Sequence, residues 1–333
     1  MDDRRRRREE GGQVVTATLS KVDRGRVQET RPRPPRRYRL SNLDTKVSPY
    51  LFVAPFFVLF GAIGLFPLLY TAYVSLFDWE VGADEPLFIG LENYRTLFED
   101  DQFWNALFNT FSIFVLSSGP QIVVAVLLAA LLNANLRART GWRMGVLLPY
   151  VASLVALTII FGNLFGPQYG LVNDVLGLVG IDPIDWQAST FGSHVAIASM
   201  VNWRWTGYNA LIILAAMQAI PRDVYEAALV DGASALRQFF SITLPMLKPT
   251  LIFVVVTSTI GGLQIFTEPK LFEPSGGSGG GTEHQYQTVV LYLYQSAFQG
   301  LDLGYASAIA WVLFMIVIVV AALNFFLTRR AVR

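Results

Sequence analysis

From Pro49 onward the chain alternates between long apolar blocks and shorter polar segments. Six blocks stand out: residues 50–76, 107–132, 142–165, 195–217, 251–265 and 305–327. Crossing the hydrocarbon core of a bilayer takes about 20 residues in a helix. Five blocks reach that length, and the fifth in order reaches it only by taking in Gln264 to Thr267. Lipid supplies no hydrogen-bond partners to a backbone, so blocks of this kind must be helices. The expected fold class is all-α, a polytopic membrane protein with six transmembrane helices over residues 49–333. A Gly-Gly-Ser-Gly-Gly-Gly run from Gly276 to Gly281 predicts a flexible loop. Residues 285–300 suit a short amphipathic helix on the outer surface.

Between the fourth and fifth blocks lies a stretch patterned as two short helices. Pro221 suits a first helical turn, where its missing N–H costs nothing. Tyr225, Ala228 and Leu229 then share one face. Gly232 is placed to end that helix, because glycine accepts the left-handed backbone of a C-terminal cap. Ser234 can cap a second helix, which Pro245 limits.

Composition sharpens the class. Hydrophobic residues make up 53% of the 333 and charged residues 15%, against about 25% charged in an average soluble domain. The formal net charge is +1, so no global field points to nucleic acid. The chain has no cysteine and two histidines, His194 and His284, far apart in sequence, so no metal site is expected. Basic residues are distributed unevenly. Residues 1–48 carry the run Arg4 to Arg8 and the segment Arg31-Pro-Arg-Pro-Pro-Arg-Arg, with little apolar periodicity. That composition predicts a disordered cytoplasmic tail, which sets orientation or meets anionic lipid. With the tail inside, 23 of the 26 Lys and Arg fall on the cytoplasmic side, Arg95 and Lys270 outside and Arg204 within the membrane. The positive-inside rule therefore places both termini and the stretch from Arg222 to Lys248 in the cytoplasm.

The two-helix stretch reads Glu226-Ala227-Ala228, Gly232, Ile242, then Leu244-Pro245. It resembles the EAA loop of binding-protein-dependent ABC transporter permeases. Gly90-Leu91-Glu92-Asn93-Tyr94 and the run from Asn202 to Asn209, with its tryptophans and Gly207, resemble segments of the carbohydrate-uptake permeases in that class. The resemblance covers residues 49–333. It implies a bacterial cell-membrane permease subunit, the first of two, that carries a sugar such as a di- or oligosaccharide. It also implies the partners: a second homologous permease, a cytoplasmic ABC ATPase dimer and an extracytoplasmic sugar-binding protein. Glu226, Ala227, Ala228, Asp231, Gly232, Ile242, Leu244 and Pro245 would couple to the ATPase. No GxxxxGK[ST] phosphate loop is present, so ATP would be hydrolysed by the partner, and no cofactor is expected on this chain. Nor does the chain show an HExxH run or a Ser-His-Asp set.

Candidate pathway residues are Arg204, Trp205, Tyr208, Asn209 and Gln264. An intramembrane charge faces protein or a water-filled path, or snorkels to the interface. The aromatic rings, Trp203 among them, suit sugar faces or an interfacial belt. The amides, with Gln121, Asn163 and Thr267, suit sugar hydroxyls or helix–helix hydrogen bonds. A stand-alone six-helix carrier or channel is the alternative. It would need acidic residues at block centres for ion coupling, and no Asp or Glu lies there.

Orientation is directly testable, because the native chain has no thiol. Cysteine at Ser234 should resist a membrane-impermeant maleimide in intact cells, and cysteine at Ser278 should react. Reaction of Ser234→Cys from outside would reverse the assignment.

Overall fold

The computed structural model describes residues 37–82, 85–134, 137–167, 170–272 and 279–330. Most of the expected tail, residues 1–36, lies outside them, as do Arg333 and residues 276–278 of the glycine run. The described residues divide into two units at the boundary between Phe60 and Gly61. In the first, α1 spans Arg37–Leu59. It begins well before the expected end of the tail at residue 48, because Leu40, Leu43 and Val47 already recur at helical spacing.

Among the described residues of the second unit, regular structure is helical apart from one small ribbon and an isolated bridge between Glu80 and Asp302. Phe60–Leu65 widens into a π-helix before α2, Phe66–Val74. Pro67 has no N–H to give an α-turn, and the wider turn ahead of it absorbs that loss. β1 (Phe77–Asp78) pairs antiparallel with β2 (Leu87–Phe88). Then come α3 (Glu92–Glu99) and α4 (Asp101–Asn133). Asn93 of the Gly90 to Tyr94 segment donates to the carbonyls of Ser75 and Phe77, each at 2.9 Å. Tyr94 shares a hydrogen bond with Ser75 at 2.7 Å. The segment thus fastens the end of α2 to the start of α3.

Asp100 caps α4, accepting from the Gln102 N–H at 2.8 Å. The hydroxyls of Tyr292 and Tyr305 also donate to its carboxylate. Burial pushes that carboxyl up, but these donors and the backbone N–H groups of Gln102 and Phe103 outweigh it and hold it below the ordinary value.

The third block forms two helices, α5 (Arg139–Val151) and α6 (Leu154–Leu164), bent by 87° at Ala152–Ser153. α7 (Leu171–Leu178) follows, and then α8 (Thr190–Gln218), capped by Ser189. After α8 the two-helix stretch appears as α9 (Arg222–Val230), α10 (Ala235–Gln238), a π-turn over Phe239–Thr243 and α11 (Leu244–Met246). The fifth block is α12 (Lys248–Leu263), bent by 64° from the helix ending at Met246. Short α13 (Thr267–Leu271), α14 (Val289–Phe298) and α15 (Leu303–Arg330) complete the fold.

By length and apolarity, three described helices can cross a membrane: Val47–Val74, Asp101–Asn133 and Leu303–Phe326. Counting each bent pair as one span makes five. The remaining expected block lies in α8, whose 29 residues extend about 43 Å at 1.5 Å per residue. The polar run from Asn202 to Asn209 leaves it short of the same apolarity.

Two loop expectations are corrected. Gly279 and Gly280, expected to be flexible, are buried, and with Gly281 they take positive φ of 81°, 91° and 86°. A Cβ on Gly280 would sit 2.8 Å from that of Gln287, so this turn is compact because glycine alone fits it. The helix expected on the surface over residues 285–300 is instead α14, with Val289 and Leu291 wholly buried. Its sequence VVLYLYQSAF is apolar on nearly every side and needs a packed environment.

The core holds α4, α8 and α12 together. Ala125 and Ala129 of α4, Ala210 of α8 and Val254 of α12 share one cluster with Leu247, all essentially inaccessible. Such small residues let helix backbones approach, and in lipid it is this packing rather than the hydrophobic effect that joins helices. Gly207 shows how closely α5 meets α8: a Cβ there would lie 1.8 Å from the Val146 carbonyl oxygen. Gly207→Ala should therefore push α5 off α8 and cost about 1–3 kcal/mol. Thermal unfolding of the detergent-purified chain should show a clear loss relative to Gly261→Ala, where the added methyl meets nothing within 4 Å.

Candidate functional site

The polar run of α8 has a structural reason to exist. It faces a cavity of about 390 Å³ lined by α4, α6, α8, α12 and the segment leading into α13. Arg204, Trp205, Tyr208, Asn209 and Gln264, the residues expected along a pathway, all line it. Gln121 and Thr267 join them, whereas Asn163 does not and donates to the Ile159 carbonyl of its own helix at 2.8 Å. Trp203 is 58% exposed and lies away from the cavity.

Asn209 is almost fully buried. Its amide donates to Gln121 Oε1 at 2.9 Å and to Ser258 Oγ at 3.3 Å, so α4, α8 and α12 meet at one polar point on the cavity wall. The helix-joining role of these amides is thus realised, and it is realised on the lining itself. Trp205 and Tyr208 form an aromatic corner with Tyr150 of α5. Tyr150 stacks on Tyr208 at 4.8 Å between centroids and meets Trp205 edge-on at 5.2 Å.

Arg204 turns inward to this corner. Its guanidinium carbon lies 5.5 Å from the Trp205 ring centre and 5.9 Å from that of Tyr150, within reach of cation–π attraction. One guanidinium nitrogen stands 3.9 Å from Glu268 Oε1. Snorkelling would have left this head group free of protein partners, and the protein instead surrounds it.

Two features around the cavity escape a sequence reading. Glu268 falls in a segment that looks like an outer loop, yet α13 folds back and buries it beside Arg204. Tyr150, which backs the lining residues Trp205 and Tyr208, lies in the middle of the third apolar block.

The second site is the stretch after α8, none of whose residues line the cavity. Gly232 has φ of +76°. The Gly232 N–H donates to the Leu229 carbonyl and the Ala233 N–H to that of Ala228, at 3.0 and 2.9 Å, a glycine-ended helix cap as expected. Ser234 accepts weakly from the Arg237 N–H at 3.4 Å. Tyr225 and Thr243 hydroxyls bond at 2.9 Å, clasping α9 to the turn before α11. Glu226, Ala227, Asp231 and Gly232 are exposed, Ala228, Ile242 and Leu244 are half-buried, and Pro245 is exposed. Pro245 does not end the second helix by itself. The π-turn before it accommodates its missing N–H, and the bend comes after Met246.

Residues 103–333 match the family described as binding-protein-dependent transport system inner membrane component. The lactose transport system permease protein LacF of Rhizobium radiobacter is 39% identical over 289 residues, covering 85% of this chain and 94% of that protein. The sulfoquinovosyl glycerol transport system permease protein SmoG of Agrobacterium fabrum is 35% identical over 289 residues, covering 86% and 92%. Among solved structures, the bacterial alginate ABC transporter in complex with alginate pentasaccharide-bound periplasmic protein contains a chain similar in fold. The TM-score is 0.73 at 23% identity, covering 89% of this chain and 99% of that one.

If Arg204 acts on the cavity, Arg204→Leu should lower uptake several-fold while the protein still inserts and assembles, and Arg204→Lys should retain part of it. Uptake in cells and subunit recovery after purification check both points. Normal uptake by the leucine variant would remove Arg204 from the pathway.

Proposed function

Because the chain belongs to the family of binding-protein-dependent transport system inner membrane components, we propose that it lines the translocation path of an ATP-driven importer for a di- or oligosaccharide. The observation that carries this reading is the cavity, where an aromatic corner and neutral amide and hydroxyl groups converge. Aromatic faces suit the apolar faces of a sugar ring, and amides suit its hydroxyls. Both the lactose and the sulfoquinovosyl glycerol relatives are named for sugar-bearing substrates, which supports the class.

The partners follow from the same reading. A second permease completes the path, an ATPase dimer supplies energy, and an extracytoplasmic binding protein delivers sugar. The alginate neighbour, crystallised with its sugar-bound periplasmic protein, supports the last of these. Both termini and the α9–α11 stretch face the cytoplasm in this assembly, as the distribution of Lys and Arg requires.

Coupling runs from α9 to the cavity through one continuous set of elements. α9 offers Val230, 89% exposed, and Leu229 as apolar contacts for a groove on the ATPase. Glu226 supplies a charge-assisted hydrogen bond at that interface. Movement of α9 passes through the Tyr225–Thr243 clasp to α11 and then to Leu247, which is buried against α4 and α8. α12 follows directly and carries Ser258 into the cavity wall.

The cap at Gly232 is the weak point of this chain of contacts. A side chain in the left-handed region costs about 1–2 kcal/mol, and no neighbour within 4 Å would obstruct it, so the strain is in the backbone alone. Gly232→Val should redirect α10 relative to α9 and uncouple transport, and Glu226→Ala should do so less severely. In the purified complex, binding protein and sugar should no longer stimulate ATP hydrolysis, or the ATPase should dissociate. Wild-type stimulation with full ATPase retention in Gly232→Val would remove the coupling role.

A further inference from the structure

The cavity lining contains two charged residues, Arg204 and Glu268, and they face each other. Both are well shielded, with side chains 21% and 8% exposed. A buried charge without a partner is strongly unfavourable, and a paired one much less so. The cavity is therefore electrically balanced before any ligand arrives. The remaining groups that a ligand would meet are neutral amides and hydroxyls, such as Gln264 and Thr257, and aromatic rings.

We propose that Glu268 is a specificity-determining residue: by neutralising Arg204 it restricts the cavity to uncharged sugars and excludes acidic ones. This rests on the reading of the cavity as the sugar path. An acidic sugar entering the site would bring a second carboxylate up to Glu268. To reach Arg204 it would have to displace Glu268, leaving that carboxylate buried and unpaired. A neutral sugar meets neither penalty. The positioning of Glu268 comes from α13, which turns back after α12 and places residue 268 against α8.

The test uses the complex purified from native membranes and held in nanodiscs without its binding protein, so that the membrane site alone is read. Saturation-transfer NMR detects weak sugar binding, with cellobiose as the neutral probe and cellobiouronic acid as its acidic counterpart. The wild-type complex should transfer saturation to cellobiose and not to the uronate. Glu268→Gln leaves Arg204 uncompensated, and the uronate signal should rise by roughly tenfold or more, given the strength of an unpaired cation at contact distance in a shielded site. Glu268→Asp should keep the wild-type preference. The double variant Arg204→Gln/Glu268→Gln removes the cation as well, so its uronate signal should fall back to the wild-type level, and recovery of the assembled complex guards against a variant that merely folds badly. Equal uronate signals from wild type and Glu268→Gln would overturn the specificity role and leave the sugar path standing. Failure of both sugars to respond in the wild type and in every variant would overturn the sugar path itself, and this inference with it.

Discussion

The buried hydrogen bond from Asn209 to Gln121 is the point on which the membrane domain depends. At 2.9 Å, with Ser258 also accepting from the same amide, it sets the relative heights of α4, α8 and α12. In water such a bond contributes only about 1 kcal/mol net. In lipid, leaving either amide unpaired is the greater penalty. Below it, alanines at 125, 129 and 210 let the same helices touch closely. Packing brings the helices together, and the hydrogen bond fixes their register. The cavity then opens beside that bond because the residues flanking Asn209 on α8 are too polar for lipid.

The same economy of polar groups shapes the opposite end of these helices. Asn105 and Asn109 of α4 both donate to the His284 carbonyl at 2.9 Å, and Asn109 also reaches that of Gln287. His194 of α8 bonds the Gln285 carbonyl at 2.9 Å and Ser112 at 2.8 Å. The loop before α14 thus has its backbone satisfied by side chains of two helices. That accounts for Asn109 inside the second apolar block and for His194 at the edge of the fourth.

Proline and π-turns recur where helices must bend without losing contact. The widened turns at Phe60–Leu65 and Phe239–Thr243 each come just before a proline, Pro67 and Pro245. Each absorbs a missing N–H without breaking the helix. In the second case the result is a stiff arm, with α9 clasped by Tyr225 at one end and Leu247 embedded in the core at the other. A loop of the same length without these contacts would dissipate any displacement applied to α9.

Much of this was legible in the chain. Block lengths and the absence of lipid partners for a backbone settled the helical class, because each depends only on local composition. Gly232 was legible too, since a left-handed cap is a property of one residue and its immediate neighbours. Arg204, Trp205, Tyr208, Asn209 and Gln264 stood out because polar groups inside an apolar block need a reason. Their convergence on one cavity was decided only in three dimensions. So were the 87° bend between α5 and α6, the buried course of α14 and the pairing of Arg204 with Glu268 across 64 residues of sequence. Periodicity reports which residues shun lipid or water along one element, whereas the partner of a buried charge is set by where a distant helix turns back.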